Sequence, residues 1–256
     1  PMTSPHADRQ SGPVRPSPWN GAGLMLTYWC SASCRFCYVC AGPEHSAWAA
    51  AEDVVRWWAE LAGMGRRFGR PARIHLTGGE PFGRPELLFD VLSRARSAGL
   101  DPPEKVETNA FWAVDDAVVR RTLEQLKRLG VPLVVTDADP FHQEFVPLAC
   151  VERLVRIGRD VLGERGIRVR WWDFFHQAQA AGGRLPRPGD PGLAVMQAEA
   201  LRMGRDRLTG RAALAAAELG GGRPPEAFAA DHCAKALSRG HVHIDPAGRV
   251  FPGVCA

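Results

Sequence analysis

Three cysteines in the spacing C-x3-C-x2-C constrain this chain more than any other feature. Cys30, Cys34 and Cys37 lie within eight residues and follow an apolar segment. Three thiolates so close in sequence can hold one inorganic cluster, but Fe–S clusters normally take four protein ligands. One iron would therefore stay open to a small molecule. The pattern indicates a site for chemistry as well as for electron storage.

A fourth cysteine, Cys40, leaves another metal site open. With Cys40, four thiols lie within eleven residues and could bind zinc. Zinc sites usually pair two separated knuckles, so this arrangement would be cramped. We interpret Cys40 as a bystander or as a thiol beside the site, because a fourth protein thiolate would block the open iron.

A second motif, Gly78-Gly79-Glu80-Pro81, follows about forty residues after the cysteines. Glycines remove side chains where the backbone must approach a ligand or adopt positive φ. Glu80 supplies a carboxylate that can accept a hydrogen bond from an ammonium group. Alone the motif is typical of a turn, but its place behind a predicted strand favours a ligand-binding role.

Together the two motifs, with an aromatic residue before the third cysteine, resemble the radical S-adenosylmethionine (SAM) superfamily. The resemblance implies a [4Fe–4S] cluster on Cys30, Cys34 and Cys37. It also implies that the amino and carboxylate groups of SAM bind the fourth iron, and that a flavodoxin or ferredoxin supplies the electron.

The same resemblance assigns cofactor-binding residues. It places the glycine motif at the methionyl end of SAM. The aromatic neighbours of Cys37 are further candidates. The residues assigned in this way are Gly78, Gly79, Glu80, Phe36 and Tyr38.

Runs of strand length alternate with segments of helical period, which predicts βαβ units and a parallel sheet. Right-handed crossovers curl such a sheet toward a barrel. The predicted strands are Gly23–Trp29, Ile74–Leu76, Lys105–Thr108, Val131–Thr136 and Ile167–Trp172, and the predicted helices are 48–63, 85–98, 115–129, 148–162 and 193–208. The resemblance implies an α/β fold, a partial (β/α)6 TIM-type barrel.

The composition of the chain suggests three parts. Residues 1–20, rich in Pro, Ser and Gly, predict a flexible arm. We expect the barrel over 21–228 and a small C-terminal β-hairpin extension over 229–256. Because the sequence begins at Pro1, we expect it to be trimmed.

Active sites of barrels lie at the carboxyl ends of the strands. This rule brings the cysteine loop, the glycine motif, Asn109, Thr136 and Asp137 to one mouth. Asn109 could bind the SAM carboxylate or ribose, or could cap a turn. Thr136 and Asp137 could accept from the ribose hydroxyls, or could solvate a loop or cap a helix.

His142 is the candidate catalytic residue, in the stretch Asp139-Pro-Phe141-His142-Gln143. Similar Phe-His-Gln stretches follow the fourth strand in several radical SAM groups. His142 could donate a proton or contact substrate, or could be a packed loop histidine. Four aromatic residues after the fifth strand could line the site or belong to the core: Trp171, Trp172, Phe174 and Phe175.

The C-terminal segment predicts a β-hairpin with its turn at Asp245–Gly248, flanked by Cys233 and Cys255. It resembles the SPASM and twitch extensions, which carry auxiliary clusters. In those extensions a cysteine follows the turn glycine by five residues, where this chain has Gly253. Two cysteines cannot hold a cluster, so either the chain continues, or Cys150 and non-cysteine ligands contribute, or two buried thiols flank a simple hairpin. We expect truncation.

Composition limits the partners and the compartment. The 256 residues carry a net charge of +4, and the arginines are scattered among acidic residues. This pattern argues against nucleic acid as a partner. No signal peptide or membrane-spanning run is predicted, and the odd number of seven cysteines fits a reducing cytoplasm.

The resemblance therefore predicts an enzyme that cleaves SAM reductively and abstracts hydrogen from a C–H bond. Its substrate would be a ribosomal peptide or a secondary-metabolite precursor. Two alternatives stay open. One is a non-catalytic Fe–S or zinc protein, and the other is an activase-like SAM protein that acts on a partner enzyme.

Overall fold

A computed structural model describes residues 19–182, 190–202, 209–220 and 240–252. Seven strands in these residues are β1 Gly21–Met25, β2 Arg73–Thr77, β3 Lys105–Glu107, β4 Val134–Asp137, β5 Ile167–Arg170, β6 His241–Ile244 and β7 Val250–Pro252. The helices are α1 Ala51–Arg67, α2 Pro85–Ser97, α3 Asp116–Arg128, α4 Leu148–Leu162, α5 Trp172–Ala180, α6 Pro191–Arg202 and α7 Arg211–Gly220. Residues 203–208 of the predicted fifth helix lie outside this part of the chain.

The described strands form one sheet in the order β5-β4-β3-β2-β1-β6-β7. Neighbours from β5 to β6 pair in parallel, and β7 runs antiparallel to β6. Helices connect the parallel strands as βαβ crossovers require. This architecture confirms the α/β class, the partial barrel and the C-terminal hairpin.

The hairpin has a place in the sheet that the sequence did not indicate. Its first strand, β6, pairs with β1 along Gly21–Leu24 and adds a sixth parallel strand to the barrel sheet. The turn lies where it was predicted, and Asp245 accepts from the backbone N–H groups of Ala247 and Arg249 at 2.9 Å. The division of the chain into three parts stays a prediction, and Cys233 and Cys255 lie outside the described residues.

Three predicted strands end earlier in the structure, β3 by one residue and β1 and β5 by more. After Met25 the chain turns to meet the glycine motif, and Leu26 donates its N–H to Thr77 O at 2.9 Å. Trp171 has a φ of 60°, in the left-handed region, so that β5 ends at Arg170 and α5 begins directly.

The core lies between the sheet and its helices. Alternate residues of the strands point to this side and are buried, among them Leu24, Leu76, Val106, Val134 and Ile244. They pack against apolar faces of the helices, such as Trp58 of α1 and Leu123 of α3. The other face of each strand is therefore turned into the barrel. In the described ranges, no helix has the length and apolar character needed to cross a membrane.

Candidate active site

A cavity of about 640 Å³ opens at the carboxyl ends of the strands and extends into the barrel. Most residues predicted for the site line it. These are Cys30, Cys34, Phe36, Cys37, Tyr38, Gly78, Gly79, Asn109, Asp137 and His142. Glu80 and Thr136 lie behind its wall. The strand-end rule therefore brought residues from four different loops to one place.

The cysteine loop presents three thiols to this cavity. Cys30 and Cys34 are buried, and Cys37 is half-buried. The loop folds back through a hydrogen bond from Cys37 N to Cys34 O at 3.1 Å, while Ala41 N donates to Cys37 Sγ at 3.2 Å. Burial and the charge of Glu80 raise the pKa of Cys30 to about 12. Burial, the charge of Asp139 and the other two thiols raise the pKa of Cys34 well above its usual value. Such a group of thiols needs a cation to become thiolates.

Cys40 differs from the other three cysteines. Its side chain is exposed, and its backbone has a φ of 55°. Its N–H donates to Cys37 O at 3.4 Å, so the residue closes the loop through its backbone. Of the four cysteines in this loop, three therefore line the cavity and Cys40 does not.

The start of α7 holds the cysteine loop from the outside. Arg211 donates its backbone N–H to Cys37 O and its Nε–H to Cys34 O, both at 3.0 Å. Thr209 Oγ1 donates to Tyr38 O at 3.2 Å. Gly210, with a φ of +58°, comes so close that a Cβ would lie 2.6 Å from Tyr38 O. No local pattern in residues 209–211 signals this role, and sequence reasoning missed it.

The glycine motif packs against the segment that leads into Cys30. Gly79 donates its N–H to Thr27 O at 2.7 Å, and a Cβ at Gly79 would lie 2.0 Å from Trp29 O. Gly78 has a φ of +149°, and a Cβ there would lie 2.7 Å from Thr27 O. The close approach of the two chain segments therefore requires glycine at both positions. Both glycines also line the cavity.

Glu80 ties two loops together beneath the cavity. Its carboxylate is fully buried and accepts hydrogen bonds from Phe82 N at 3.0 Å, Thr108 Oγ1 at 2.9 Å and Asn109 N at 2.6 Å. Burial raises the pKa of Glu80 to about 7, against the effect of these donors. Its bonds fix the glycine motif relative to the β3 loop. Direct contact with SAM stays a prediction.

Asn109 caps a turn and contacts the cysteine loop at the same time. Its Oδ1 accepts from Phe111 N at 2.9 Å. Its Nδ2 donates to Ser31 Oγ at 3.1 Å and to Cys30 Sγ at 3.5 Å. The reading of Asn109 as a turn cap is thus supported, and the residue also lies on the wall of the cavity. Hydrogen bonds to ligand sulfur tune the potential of a cluster.

A family model described as the Radical SAM superfamily matches residues 24–182, from β1 through α5. The chain belongs to the radical SAM superfamily. A comparison with curated proteins gave no significant match. Membership implies a [4Fe–4S] cluster and SAM as the groups that this site holds.

The residues present fit these radical SAM cofactors. Three buried or half-buried thiols border one cavity, an amide N–H points at one sulfur and a backbone N–H at another. Soft thiolates are the ligands of Fe–S clusters, and Cys30, Cys34 and Cys37 would hold this one. Space beside them is available for SAM.

The two predicted ribose contacts of this radical SAM protein differ in position. Asp137, at the end of β4, lines the cavity, and Arg170 Nη1 donates to its Oδ2 at 3.4 Å. Thr136 is fully buried and lies outside the cavity wall. A ribose contact therefore stays a prediction for both residues; Asp137 borders the cavity, and Thr136 does not.

His142 is fixed by a carboxylate in the same loop. Asp139 Oδ1 accepts from the backbone N–H groups of Phe141 and His142, and its Oδ2 pairs with His142 Nδ1. Burial alone would lower the pKa of His142, but Asp139 and Asp137 raise it to about 9. The ring lines the cavity as a cation at neutral pH. It can donate a proton or bind an anionic group.

We expect a direct titration to show this raised pKa. In cluster-free protein labelled with ¹³C-histidine, the resonance of His142, assigned by its loss in His142→Gln, should titrate near pH 9. Because the folded pKa exceeds the ordinary value of 6.5, the ion pair stabilises the fold fully below pH 6.5 and is lost as the pH rises through 9. The change is on the order of 3 kcal/mol. A midpoint near 6.5 would contradict the ion pair.

The aromatic residues divide between site wall and core. Phe36 stacks on Phe141 with ring centroids 4.8 Å apart, so the residue before Cys37 is held by the loop after β4. Trp171 is buried in the same group, with Phe174 packed against it. Phe175 is buried in the main core, and Trp172 is partly exposed.

Polar and charged side chains line the interior of the barrel, which the sequence analysis missed. They alternate along the strands with the buried apolar residues. The set comprises Arg73, His75, Thr77, Lys105, Glu107, Arg168, Arg170, His241 and His243. The sequence signal is an alternation of polar and apolar residues in short strands such as Arg-Ile-His-Leu-Thr and His-Val-His. Because successive side chains of a strand point to opposite faces of the sheet, the polar residues of these strands face the interior of the barrel.

Glu107 is the centre of this charged interior. Lys105 Nζ lies 2.6 Å from its Oε1, Arg170 bonds the same oxygen, and Thr77 Oγ1 donates to Oε2 at 3.0 Å. Burial alone would raise the pKa of Glu107, but these cations hold it well below its usual range. The floor of the cavity therefore carries fixed charges of both signs.

Proposed function

We propose that this chain is an enzyme that cleaves SAM reductively and abstracts hydrogen from a substrate C–H bond. The observation that carries the proposal is the convergence of three thiols, the glycine motif and Asn109 on one cavity. Cys30, Cys34 and Cys37 would hold a [4Fe–4S] cluster, which when reduced would supply one electron to split SAM into methionine and a 5′-deoxyadenosyl radical. The protein binds, orients and protects the reactants.

Each residue of the site has a separate role in this proposal. The thiols of Cys30, Cys34 and Cys37 bind the cluster, and Asn109 orients Cys30. The stacked rings of Phe36 and Phe141 close one side of the mouth. His142 presents a proton on the wall of the cavity.

The charged interior supports a polar substrate. Arg168 and Arg170 of β5 and Lys105 of β3 line the cavity below the mouth. Such side chains suit a peptide backbone with charged residues or a polar precursor of a secondary metabolite, since they bind carboxylates and carbonyl oxygens. We propose these two substrate classes, with peptide modification first.

The alternative of a non-catalytic metal protein requires Cys40 as a fourth ligand. The exposed position of Cys40, against three thiols that line a cavity, favours the enzyme. An activase-like protein would use the same cavity, and its substrate would be a partner enzyme.

We further propose a flavodoxin or ferredoxin as electron donor and a cytoplasmic location, where the cluster and thiols stay reduced.

A second cluster that includes Cys233 and Cys255 is also proposed. Its ligands lie outside the described residues, and the support for it is the hairpin between them. Iron analysis of the reconstituted protein distinguishes one cluster from two.

The experiment that tests the function is anaerobic. The protein is reconstituted with iron and sulfide, reduced with dithionite and incubated with SAM, and 5′-deoxyadenosine and methionine are measured. Release of both is the expected result. If a fully loaded and reducible cluster yields neither, with or without peptides encoded beside its gene, the proposal is wrong and electron transfer becomes the better account. Zinc in place of iron in the purified protein would exclude both SAM cleavage and electron transfer.

A further inference from the structure

Three histidines converge inside the barrel, on strands that do not carry the cysteine loop. His75 lies on β2, and His241 and His243 lie on β6, the strands on either side of β1. One ring nitrogen from each can be chosen so that all three lie within 4.8 Å of one another. His75 and His243 are buried, and His241 is half-buried.

Glycines in β1 create the space for these rings. Gly23 pairs with His75 on one side and His243 on the other. A Cβ at Gly23 would lie 2.7 Å from the Nε2 atoms of both histidines, and a Cβ at Gly21 would lie 3.1 Å from His241 Nδ1. The imidazole nitrogens therefore gather over a strip of β1 that has no side chains.

We propose that His75, His241 and His243 bind one divalent transition-metal ion of the Zn²⁺ or Fe²⁺ class. Imidazole nitrogen is a common ligand of such ions. Metal–nitrogen bonds of about 2.0–2.1 Å place the nitrogens of a tetrahedral site about 3.4 Å apart. All three nitrogens lie within 4.8 Å of one another, so no pair has to close by more than about 1.4 Å, which rotations of the side chains can supply.

The surroundings give this metal site an orienting group and an open side. Glu107 Oε1 lies 4.0 Å from His75 Nε2, in a position to orient the ring or to approach the ion. All three histidines line the cavity that the cysteine loop borders, and the ring of Tyr38 lies 6.1 Å from the ring of His243. Three protein ligands leave a coordination position for a carboxylate or amine of a substrate. The ion would fix that substrate beneath the SAM site.

The proposal does not depend on SAM cleavage and is tested by metal content. The cluster-loaded protein is equilibrated with Zn²⁺ anaerobically, desalted and analysed for zinc per chain. X-ray absorption at the zinc edge then identifies the ligands. We expect about one zinc per chain with imidazole nitrogen ligands and without sulfur. Sulfur ligands, or less than about a tenth of a zinc per chain, would overturn the site.

Variants locate the ion. His243→Asn and His241→Asn should each lower the retained zinc at least about tenfold, as loss of one of three ligands implies. His176→Asn, on α5 and outside the cluster of three, should retain it. Circular dichroism checks the fold, and His241→Asn serves if the buried His243→Asn does not fold. Retention of zinc by both folded variants would place the ion elsewhere and contradict the proposal.

Discussion

Replacing Cys34 by alanine should remove the cluster and reduce 5′-deoxyadenosine formation to the level of cluster-free protein. Cys34 is the most deeply enclosed of the three thiols and interacts with both of the others. Two thiolates cannot hold the cluster that three support. Iron and sulfide content after anaerobic reconstitution, with SAM cleavage measured on the same sample, checks this prediction.

Cys40→Ser is the matched control for that experiment. Its side chain is exposed and belongs to the same loop, three residues after Cys37. We expect Cys40→Ser to keep the iron content and the cleavage of the parent protein. If Cys40→Ser loses the metal as Cys34→Ala does, four thiols bind it, and the open iron on which the proposed chemistry depends does not exist.

Gly79→Ala should be the most damaging substitution outside the cysteines. The new methyl group would lie 2.0 Å from Trp29 O, a backbone atom that itself accepts from Glu80 N. Neither partner can move without separating the glycine motif from the cysteine loop. We expect a loss of about 3 kcal/mol or more in the free energy of unfolding, at the upper end for overpacking. Urea unfolding of cluster-free protein measures it.

Gly63→Ala provides the comparison for Gly79→Ala. Gly63 lies within α1, and a Cβ there meets only the end of the Arg66 side chain, at 3.8 Å. Alanine favours the helix by up to about 1 kcal/mol, so this variant should be neutral or slightly more stable. Equal stability of the two variants would mean that the close approach at Gly79 is not maintained in solution.

Local motifs could be predicted from the sequence because they carry their own geometry. The cysteine loop and the glycine turn are defined by residues adjacent in the chain. The strand-end rule then placed Asn109, Asp137 and His142 with them. The role of Glu80 could not be predicted in the same way. A glutamate in such a motif can bind either a ligand or the protein itself, and the sequence does not distinguish the two.

Features that depend on distant pairing could not be predicted. Nothing near His241 indicates that its strand lies beside β1, and without that pairing the three histidines have no reason to meet. The contact of Arg211 with the cysteine loop is of the same kind. The charged interior could have been predicted, because the alternation of polar and apolar residues along β2 and β5 is visible once those segments are assigned as strands.

The pairing of β6 with β1 also has a consequence for how the chain folds. Gly21 and His241 are neighbours in the sheet although they are about 220 residues apart. During synthesis the edge of β1 that pairs with β6 stays unpaired until almost all of the described chain has left the ribosome. Such long-range closure slows folding and leaves an open strand edge exposed to association with other chains. We therefore expect expression at low temperature, or with chaperones, to raise the yield of folded protein more than for a sheet closed by sequential neighbours.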